Sequence, residues 1–346
     1  MRFALSPEQL DFGASLRKLL DAGRTPAAVR AWASGDPGPG RTLIRQLAEA
    51  GVLGLAVAER HGGLGAEPID LVVAFQEIGR AAVPGPLVET AAAIPALLQA
   101  LPDPSLAERW LPGFAGGAAL GTVAFETPGQ SGVALDADTA EVVLLAEEAR
   151  LYTGHRTGLT RSVDPARRLF TVAADDAVAE GEQVREAAAA GFDTGALACA
   201  AQLLGAGRAL LHASTEYAKQ RKQFGKPVGE FQAVKQKLAD VLIALDLAEP
   251  LLYRAALTMT GPSRGRDVSA AVIACGDAAY RAARAALQVH GAIGYTAEYD
   301  LSLWLTKVTA LRSAWGTTDL HRSRIARALR DEAERDSAAR SLEGTA

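Results

Sequence analysis

The chain has 346 residues, 49% of them hydrophobic and 22% charged, a globular composition long enough for two or three hydrophobic cores. Its formal net charge of −4 argues against a nucleic-acid partner or an anionic membrane surface, because both require clustered Lys and Arg. The two cysteines, Cys199 and Cys275, lie in separate alanine-rich apolar stretches, which argues against a disulfide framework or a cysteine-based metal site. We expect a cytoplasmic protein whose partners are small molecules or proteins.

The first hundred residues predict a helical domain. Ser6-Pro7-Glu8-Gln9 has the residue types of a helix N-cap, first turn and capping box. Periodic apolar residues at 43–47 and 71–78 predict two further helices, the second of which ends before Pro84-Gly85-Pro86. The N-terminus has no apolar leader, and no later segment has 18 uninterrupted apolar residues, so we expect neither export nor a membrane span.

The pattern changes twice along the rest of the chain. Short runs compatible with β-strands, separated by turn residues, occupy residues 120–125, 141–145 and 168–172. Long helical patterns then cover residues 197–220, 231–254, 268–289 and 301 to about 336. Four long helices with short connections predict an antiparallel bundle. The chain is therefore predicted to be mainly α, with an N-terminal helical domain (residues 1–112), a shortened middle β domain (113–186) and a C-terminal four-helix bundle (187–346).

Common metal and nucleotide motifs do not occur. The five histidines show no spacing typical of metal ligands, so we expect no metal site. Gly205-Ala206-Gly207 falls inside a predicted helix rather than after a strand, which argues against a dinucleotide-binding Rossmann fold.

Two segments of the predicted bundle carry the informative pattern. Residues 221–232 read Arg-Lys-Gln-Phe-Gly-Lys-Pro-Val-Gly-Glu-Phe-Gln, and residues 288–295 read Gln-Val-His-Gly-Ala-Ile-Gly-Tyr. Taken alone, the first is a helix end, a Gly-Pro turn and an amphipathic helix with solvated charges. Together they resemble the R-x-x-F-G-x-P-[IV]-x-x-F-Q and Q-x-x-G-G-x-G-[FY] signatures of acyl-CoA dehydrogenases. Residues 51–65 are similar to a loop in that family's first domain, so the resemblance covers nearly the whole chain.

The resemblance implies an FAD site that is shared between subunits. In the family, both segments reach the cofactor bound by the neighbouring subunit. Arg221 would donate to the FAD pyrophosphate through its planar guanidinium, and the turn after Gln288 would approach the adenosine end, where small residues permit close backbone contact. The implied cofactor-binding residues are Arg221, Gln223, Phe224, Gln288, Gly291, Ala292, Gly294 and Thr317.

The resemblance also implies α,β-dehydrogenation of an acyl-CoA thioester, which requires a carboxylate to remove the α proton. The family places this glutamate just before a G-T-[ST] motif, where this chain has Trp315, or on the first bundle helix, where it has Gly195. The catalytic base is therefore unassigned. Asp193 and Asp319 are the nearest carboxylates, and each is more simply explained as a helix cap or a surface residue.

Residues 125–132 depart from the family's T-E-x-x-x-G-S-D loop, and no strand carries its Trp-Ile-Ser or Trp-Ile-Thr element.

The segments that would contact a neighbouring subunit's cofactor match the family, whereas the chain's own active site has diverged. This combination resembles the heteromeric acyl-CoA dehydrogenases of bacterial sterol side-chain catabolism. We predict that the chain completes the FAD site of a paralogous subunit in a heterotetramer that dehydrogenates acyl-CoA substrates and passes electrons to an acceptor flavoprotein. One alternative is a self-sufficient homo-oligomeric enzyme with a displaced base, and another is a flavin-free structural or regulatory paralogue. We also expect the bundle to have collapsed over the diverged site, which would make Trp315 a core residue.

Overall fold

The N-terminal region is helical, as its capping and periodicity predict. The computed structural model describes residues 4–126, 132–296 and 299–343, except for the side chains of residues 295 and 336–343. The predicted capping box is confirmed, because Gln9 N donates to Ser6 Oγ at 3.3 Å and Ser6 N donates to Gln9 Oε1 at 3.0 Å. The helices are α1 (Pro7–Ala22), α2 (Thr25–Ala33), α3 (Gly38–Glu49), α4 (Pro68–Arg80), α5 (Ile94–Ala100) and α6 (Ser105–Ala115), with a π-helical segment at Glu89–Ala93 before α5.

The described residues between 121 and 180 form a five-stranded sheet with the order β1-β3-β4-β5-β2. Its strands are β1 (Gly121–Phe125), β2 (Val133–Leu135), β3 (Val142–Glu147), β4 (Arg150–Thr160) and β5 (Leu169–Glu180). β1 runs parallel to β3, and the other pairs are antiparallel. The sequence did not predict β4, because its second half is exposed and polar and shows no clear apolar alternation.

The C-terminal region consists of long helices, and one predicted helix is in fact two. The elements are α7 (Glu182–Gln220), β6 (Lys222–Gln223), β7 (Lys226–Pro227), α8 (Gln232–Leu257), α9 (Arg264–His290), α10 (Leu301–Ala314) and α11 (Thr318–Glu343). The prediction of a continuous helix from residue 301 to 336 is wrong. Gly316 has a φ of 98°, which interrupts the helix, and Thr317 Oγ1 then accepts from Leu320 N at 3.2 Å to start α11.

Helix α7 lies in the centre of the molecule. By length and mean hydropathy (1.3) it could cross a membrane, but 72% of its apolar window is buried inside the protein, where it serves as a core helix. It crosses α4 in backbone contact, since a Cβ added at Gly205 would lie 1.9 Å from Gln76 O and one at Gly79 would lie 2.1 Å from Gln202 O. This close crossing joins the N-terminal helices to the bundle.

Candidate functional site

The first motif segment forms a small hairpin after α7. Phe224 lies at its turn with a φ of 52°, a backbone region that is uncommon for residues other than glycine. Its ring is 93% exposed and meets Phe231 edge-on, with the centroids 6.2 Å apart. A large aromatic ring that a strained turn holds in solvent buries little apolar surface against its own chain and so contributes little to its stability. The Phe224 ring is therefore accessible to a molecule outside the chain.

The structure brings three predicted cofactor-binding residues together. Gln223, Phe224 and Gln288 line an open cavity of about 330 Å³ between the hairpin and the end of α9. Tyr217, in the last turn of α7 before the first motif segment, stacks on His290 of the second segment, with the ring centroids 4.2 Å apart. Burial lowers the pKa of His290, so that the stacked ring is neutral near pH 7.

The surface beside this cavity is positively charged. Lys237 lines both this cavity and a neighbouring groove of about 680 Å³, which also contains Arg281 and Arg284. Within the described residues none of these three cations forms an ion pair. An exposed aromatic ring next to unpaired cations suits a ligand that has both a flat ring system and phosphate groups. We call this surface, defined by Gln223, Phe224, Lys237 and Gln288, the hairpin face.

The other predicted cofactor contacts in the two motif segments differ in accessibility. Arg221 caps α7 through its backbone N–H, which donates to Tyr217 O at 2.8 Å, and its side chain is exposed. Gly291 has a φ of 68° and a ψ of −147°, which glycine alone adopts readily, and it opens to solvent beside exposed Ala292. Gly294 is instead buried, and an added Cβ would lie 3.2 Å from Leu301, so its lack of a side chain serves packing within the chain.

Thr317 lies in a different cavity, of about 800 Å³, between the sheet and the end of α10. Trp315 forms part of its wall, is 5% exposed, and packs edge-on against Phe125 with centroids 5.7 Å apart. Gly195 lies directly against the indole, since an added Cβ would be 2.3 Å from Trp315 Cζ3. The two positions at which the family places its base therefore coincide in space, and the indole fills the volume that a side chain at position 195 would need.

The expectation that the bundle has collapsed over this site is wrong. Trp315 is a packing residue, but the cavity beside it persists, because β1, β2 and β5 form a separate opposite wall with Val123, Leu135 and Leu169. Most of the loop at residues 125–132, which departs from the family's flavin-contact pattern, lies outside the described residues.

Neither carboxylate considered from the sequence lines this cavity. Asp193 is 2% exposed and pairs with Arg264 at 2.9 Å and with Arg324 at 2.5 Å, so both of its oxygens are engaged in structural ion pairs. The side chain of Asp319 is 92% exposed and lies 3.8 Å from Arg322. A displaced base is therefore not provided by either residue.

Sequence reasoning missed Glu89 and Arg167, which both line the cavity. Glu89 begins the π-helical segment, a backbone irregularity that is frequent at functional sites, and it is 4% exposed. Burial raises the pKa of Glu89 to about 7, while the charge of Arg167 opposes that rise. The only sequence signal was a carboxylate within the apolar run Leu87-Val-Glu-Thr-Ala-Ala-Ala, which helix periodicity alone does not distinguish from a surface position.

Comparison with known proteins gives a consistent result. Residues 6–118 match the family described as "Acyl-CoA dehydrogenase, N-terminal domain", and residues 185–330 match "Acyl-CoA dehydrogenase, C-terminal domain". The acyl-CoA dehydrogenase IpdE2 of Mycobacterium tuberculosis is 33% identical over 285 residues, which cover 82% of this chain and 85% of that protein.

Two solved structures illustrate the shared fold. Butyryl-CoA dehydrogenase from Megasphaera elsdenii superposes with a TM-score of 0.83 at 21% identity, covering 95% of this chain and 100% of that one. A chain of the ChsE4-ChsE5 complex from Mycobacterium tuberculosis superposes with a TM-score of 0.81 at 23% identity, covering 95% and 99%. At these identities the neighbours show the fold alone.

Proposed function

Because the chain belongs to the acyl-CoA dehydrogenase family of FAD-dependent oxidoreductases, we propose that it is a subunit that completes the FAD site of a related partner in a heteromeric enzyme. The observation that carries this proposal is the contrast between two sites. The hairpin face presents an exposed aromatic ring beside cations that form no ion pair within the described residues, whereas Trp315 and Gly195 occupy the positions of the base in the chain's own cavity.

The residues of the hairpin face, together with Arg221, Gly291 and Ala292 of the same two motif segments, fit the cofactor. Arg221 would donate hydrogen bonds to the pyrophosphate, Phe224 would pack against a flat ring, and Gln223 and Gln288 would donate or accept hydrogen bonds at its edge. Backbone contact would come from Gly291 and Ala292. FAD supplies the hydride acceptor of the dehydrogenation, and this chain supplies binding and orientation. Gly294, which is buried, and Thr317, which lines the other cavity, are not included in this set.

Association with a second subunit is supported by an apolar stripe on α8. Ile243, Leu247 and Leu251 lie four residues apart on one helix face and are 55%, 70% and 39% exposed. A contiguous apolar stripe of this kind is typical of a protein interface. We propose a paralogous acyl-CoA dehydrogenase subunit that has the glutamate as the partner. The ChsE4-ChsE5 neighbour is itself a complex of two chains.

The substrate class and electron acceptor are proposed from the relatives. A further structural neighbour is described as a steroid acyl-CoA dehydrogenase, and another structure concerns an electron transferring flavoprotein. We propose that the assembled enzyme acts in the cytoplasm on acyl-CoA thioesters, with sterol-derived side chains as the favoured acyl groups, and transfers electrons to such a flavoprotein.

One observation favours a second candidate function. Glu89 lines the chain's own cavity and has a pKa near that of an effective general base at neutral pH. A homo-oligomer that uses Glu89 as its base would be self-sufficient. In that case the purified chain would contain stoichiometric flavin, and the flavin absorbance would bleach on addition of an acyl-CoA.

The proposed function is tested by flavin content. We expect the chain alone to retain little FAD and to show negligible turnover, and the complex with a glutamate-containing relative to retain FAD.

Arg221→Ala should weaken FAD retention by the complex roughly 10- to 100-fold, because it removes a charge-assisted contact. Arg45→Ala, at an exposed position on α3, is the matched control. Unchanged FAD occupancy in the Arg221 variant on dilution would contradict the assigned role, and a complex without flavin would favour a structural paralogue.

A further inference from the structure

The cavity beside Trp315 is lined by two buried ionisable side chains, Glu89 and Arg167, that completion of a partner's FAD site does not use. Glu89 is 4% exposed, and its Oε2 has no hydrogen-bond partner within the described residues. Arg167 is 8% exposed. Its guanidinium makes no hydrogen bond and no ion pair with any described residue, and Glu89 is no exception. Buried charged groups are normally paired, because desolvation of an unpaired charge opposes folding. Within the described residues, Glu89 Oε2 and the Arg167 guanidinium are therefore both free to form a hydrogen bond or ion pair with a ligand.

Both side chains stand on well-anchored backbone. Thr90, next to Glu89, donates from Oγ1 to Gly121 O at 2.8 Å and accepts from Gly121 N at 3.1 Å, which ties the π-helical segment to β1. Arg167 N donates to Asp164 O at 3.0 Å, in the turn that precedes β5. Two functional groups that line one cavity and are held by separate, anchored elements are arranged as in a preorganised binding site.

The rest of the cavity is largely apolar. Its wall includes Val123, Phe125, Leu169, Phe192 and Trp315, and its volume of about 800 Å³ is within the usual range for pockets that enclose small molecules. A ligand must therefore be mostly apolar and must also satisfy a guanidinium. Carboxylates pair with guanidinium groups in a bidentate geometry.

We propose that this cavity binds an apolar molecule bearing a free carboxylate, which pairs with Arg167 and accepts a hydrogen bond from the protonated carboxyl group of Glu89. The carboxylate can belong to a free acid or to the far end of an acyl-CoA. The site shares no residue with the hairpin face, and it extends beyond the proposed function because it gives the chain a ligand of its own.

The arrangement predicts proton-linked binding. Burial is the main cause that raises the pKa of Glu89 to about 7; of the nearby charges, Arg167 lowers this pKa and Asp136 raises it. Arg161 is a further cation in the wall, and the residues that α7, α10 and α11 contribute to the wall are uncharged. A ligand carboxylate placed beside Glu89 would raise the pKa further by like-charge repulsion. Binding at neutral pH should therefore take up a proton, and affinity should rise as the pH is lowered from 8.5 to 6.5.

Isothermal titration calorimetry of the full chain tests this site. Decanoate is titrated at pH 7 in phosphate and in Tris, whose different ionisation enthalpies report the number of protons exchanged. We expect one site per chain with net proton uptake. Glu89→Gln should retain binding but lose the proton uptake, and Arg167→Met should weaken binding roughly 10-fold or more. Glu148→Gln, at an exposed carboxylate, should leave both quantities unchanged.

Two further measurements distinguish a free acid from an acyl-CoA as the source of the carboxylate and separate loss of binding from loss of folding. Decanedioyl-CoA binding more tightly than decanoate would assign the site to an acyl-CoA with a distal carboxylate, and the reverse order would assign it to free acids. Ser313→Trp, at an exposed position in the wall, narrows the cavity and should abolish binding without touching either charged group. Thermal melting of each variant verifies folding.

The proposal is overturned if neither carboxylate binds, if decanol binds as tightly as decanoate, or if binding to the wild-type chain takes up no proton. It is also overturned if the isolated chain retains stoichiometric FAD that Ser313→Trp displaces, because the cavity then belongs to the cofactor. Failure of the proposed function is read separately, from the flavin content of the complex with its partner.

Discussion

Trp315 and Gly195 form one packing unit at the end of the cavity. The indole meets Phe125 edge-on and lies 6.0 Å from Phe192, and the carbonyl of Trp315 accepts a hydrogen bond from His321 Nε2 at 2.8 Å. Burial lowers the pKa of His321, so the ring is neutral, with its proton on Nε2. The indole at position 315, where the family has its base, thus leaves no room for a side chain at position 195.

Trp315→Glu should therefore destabilise the chain without restoring catalysis. The change removes a buried aromatic ring and leaves a carboxylate next to Phe125 and Phe192, which we expect to cost about 3–5 kcal/mol. Thermal melting, read together with acyl-CoA turnover in the presence of FAD, measures both effects. Trp315→Phe is the control, because it retains an aromatic ring and should lose less stability. A stable glutamate variant with new turnover would show that the site lacks only its base.

At the scale of elements, the crossing of α4 and α7 is decided by two glycines. Gly79 and Gly205 face the backbone of the opposite helix, so that neither position has room for a methyl group. Gly276, within α9, has no atom nearer than 3.9 Å to an added Cβ. The three glycines all lie inside helices, where alanine is intrinsically preferred.

Gly205→Ala and Gly276→Ala should consequently have opposite effects on the free energy of unfolding. The first forces α4 and α7 apart and should cost at least about 1–3 kcal/mol, whereas the second should stabilise α9 by up to about 1 kcal/mol. Urea denaturation midpoints measure the difference. Equal effects of the two substitutions would show that helix propensity outweighs the contact between the helices.

At the scale of the whole molecule, the exposed stripe on α8 should determine association. Leu247 is the most exposed of its three residues, and burying a leucine side chain contributes about 1.5–3 kcal/mol. Leu247→Glu should shift the complex toward separate subunits and lower its flavin content, as measured by light scattering after size-exclusion chromatography. Leu10→Glu, at a 58% exposed position on α1, is the control. An unchanged assembly would place the interface elsewhere.

The sequence alone determined the features that depend on short stretches of chain. The capping box of α1 and the runs that became β1 and β3 could be predicted because capping and alternation act over a few residues. The family and the mainly α fold could be predicted because their signatures are contiguous, as in residues 221–232. The cofactor role of Gln223, Phe224 and Gln288 stays a prediction, although the structure places the three side chains in one cavity.

Tertiary structure alone decided which distant residues meet. Gly195 and Trp315 touch, and Glu89 and Arg167 line one cavity, although no local pattern relates the members of either pair. The break between α10 and α11 depends on the left-handed backbone of Gly316, which the neighbouring apolar periodicity conceals. Periodicity reports the face of a single helix or strand, whereas burial, pKa and cavity volume arise from packing between elements far apart in the chain.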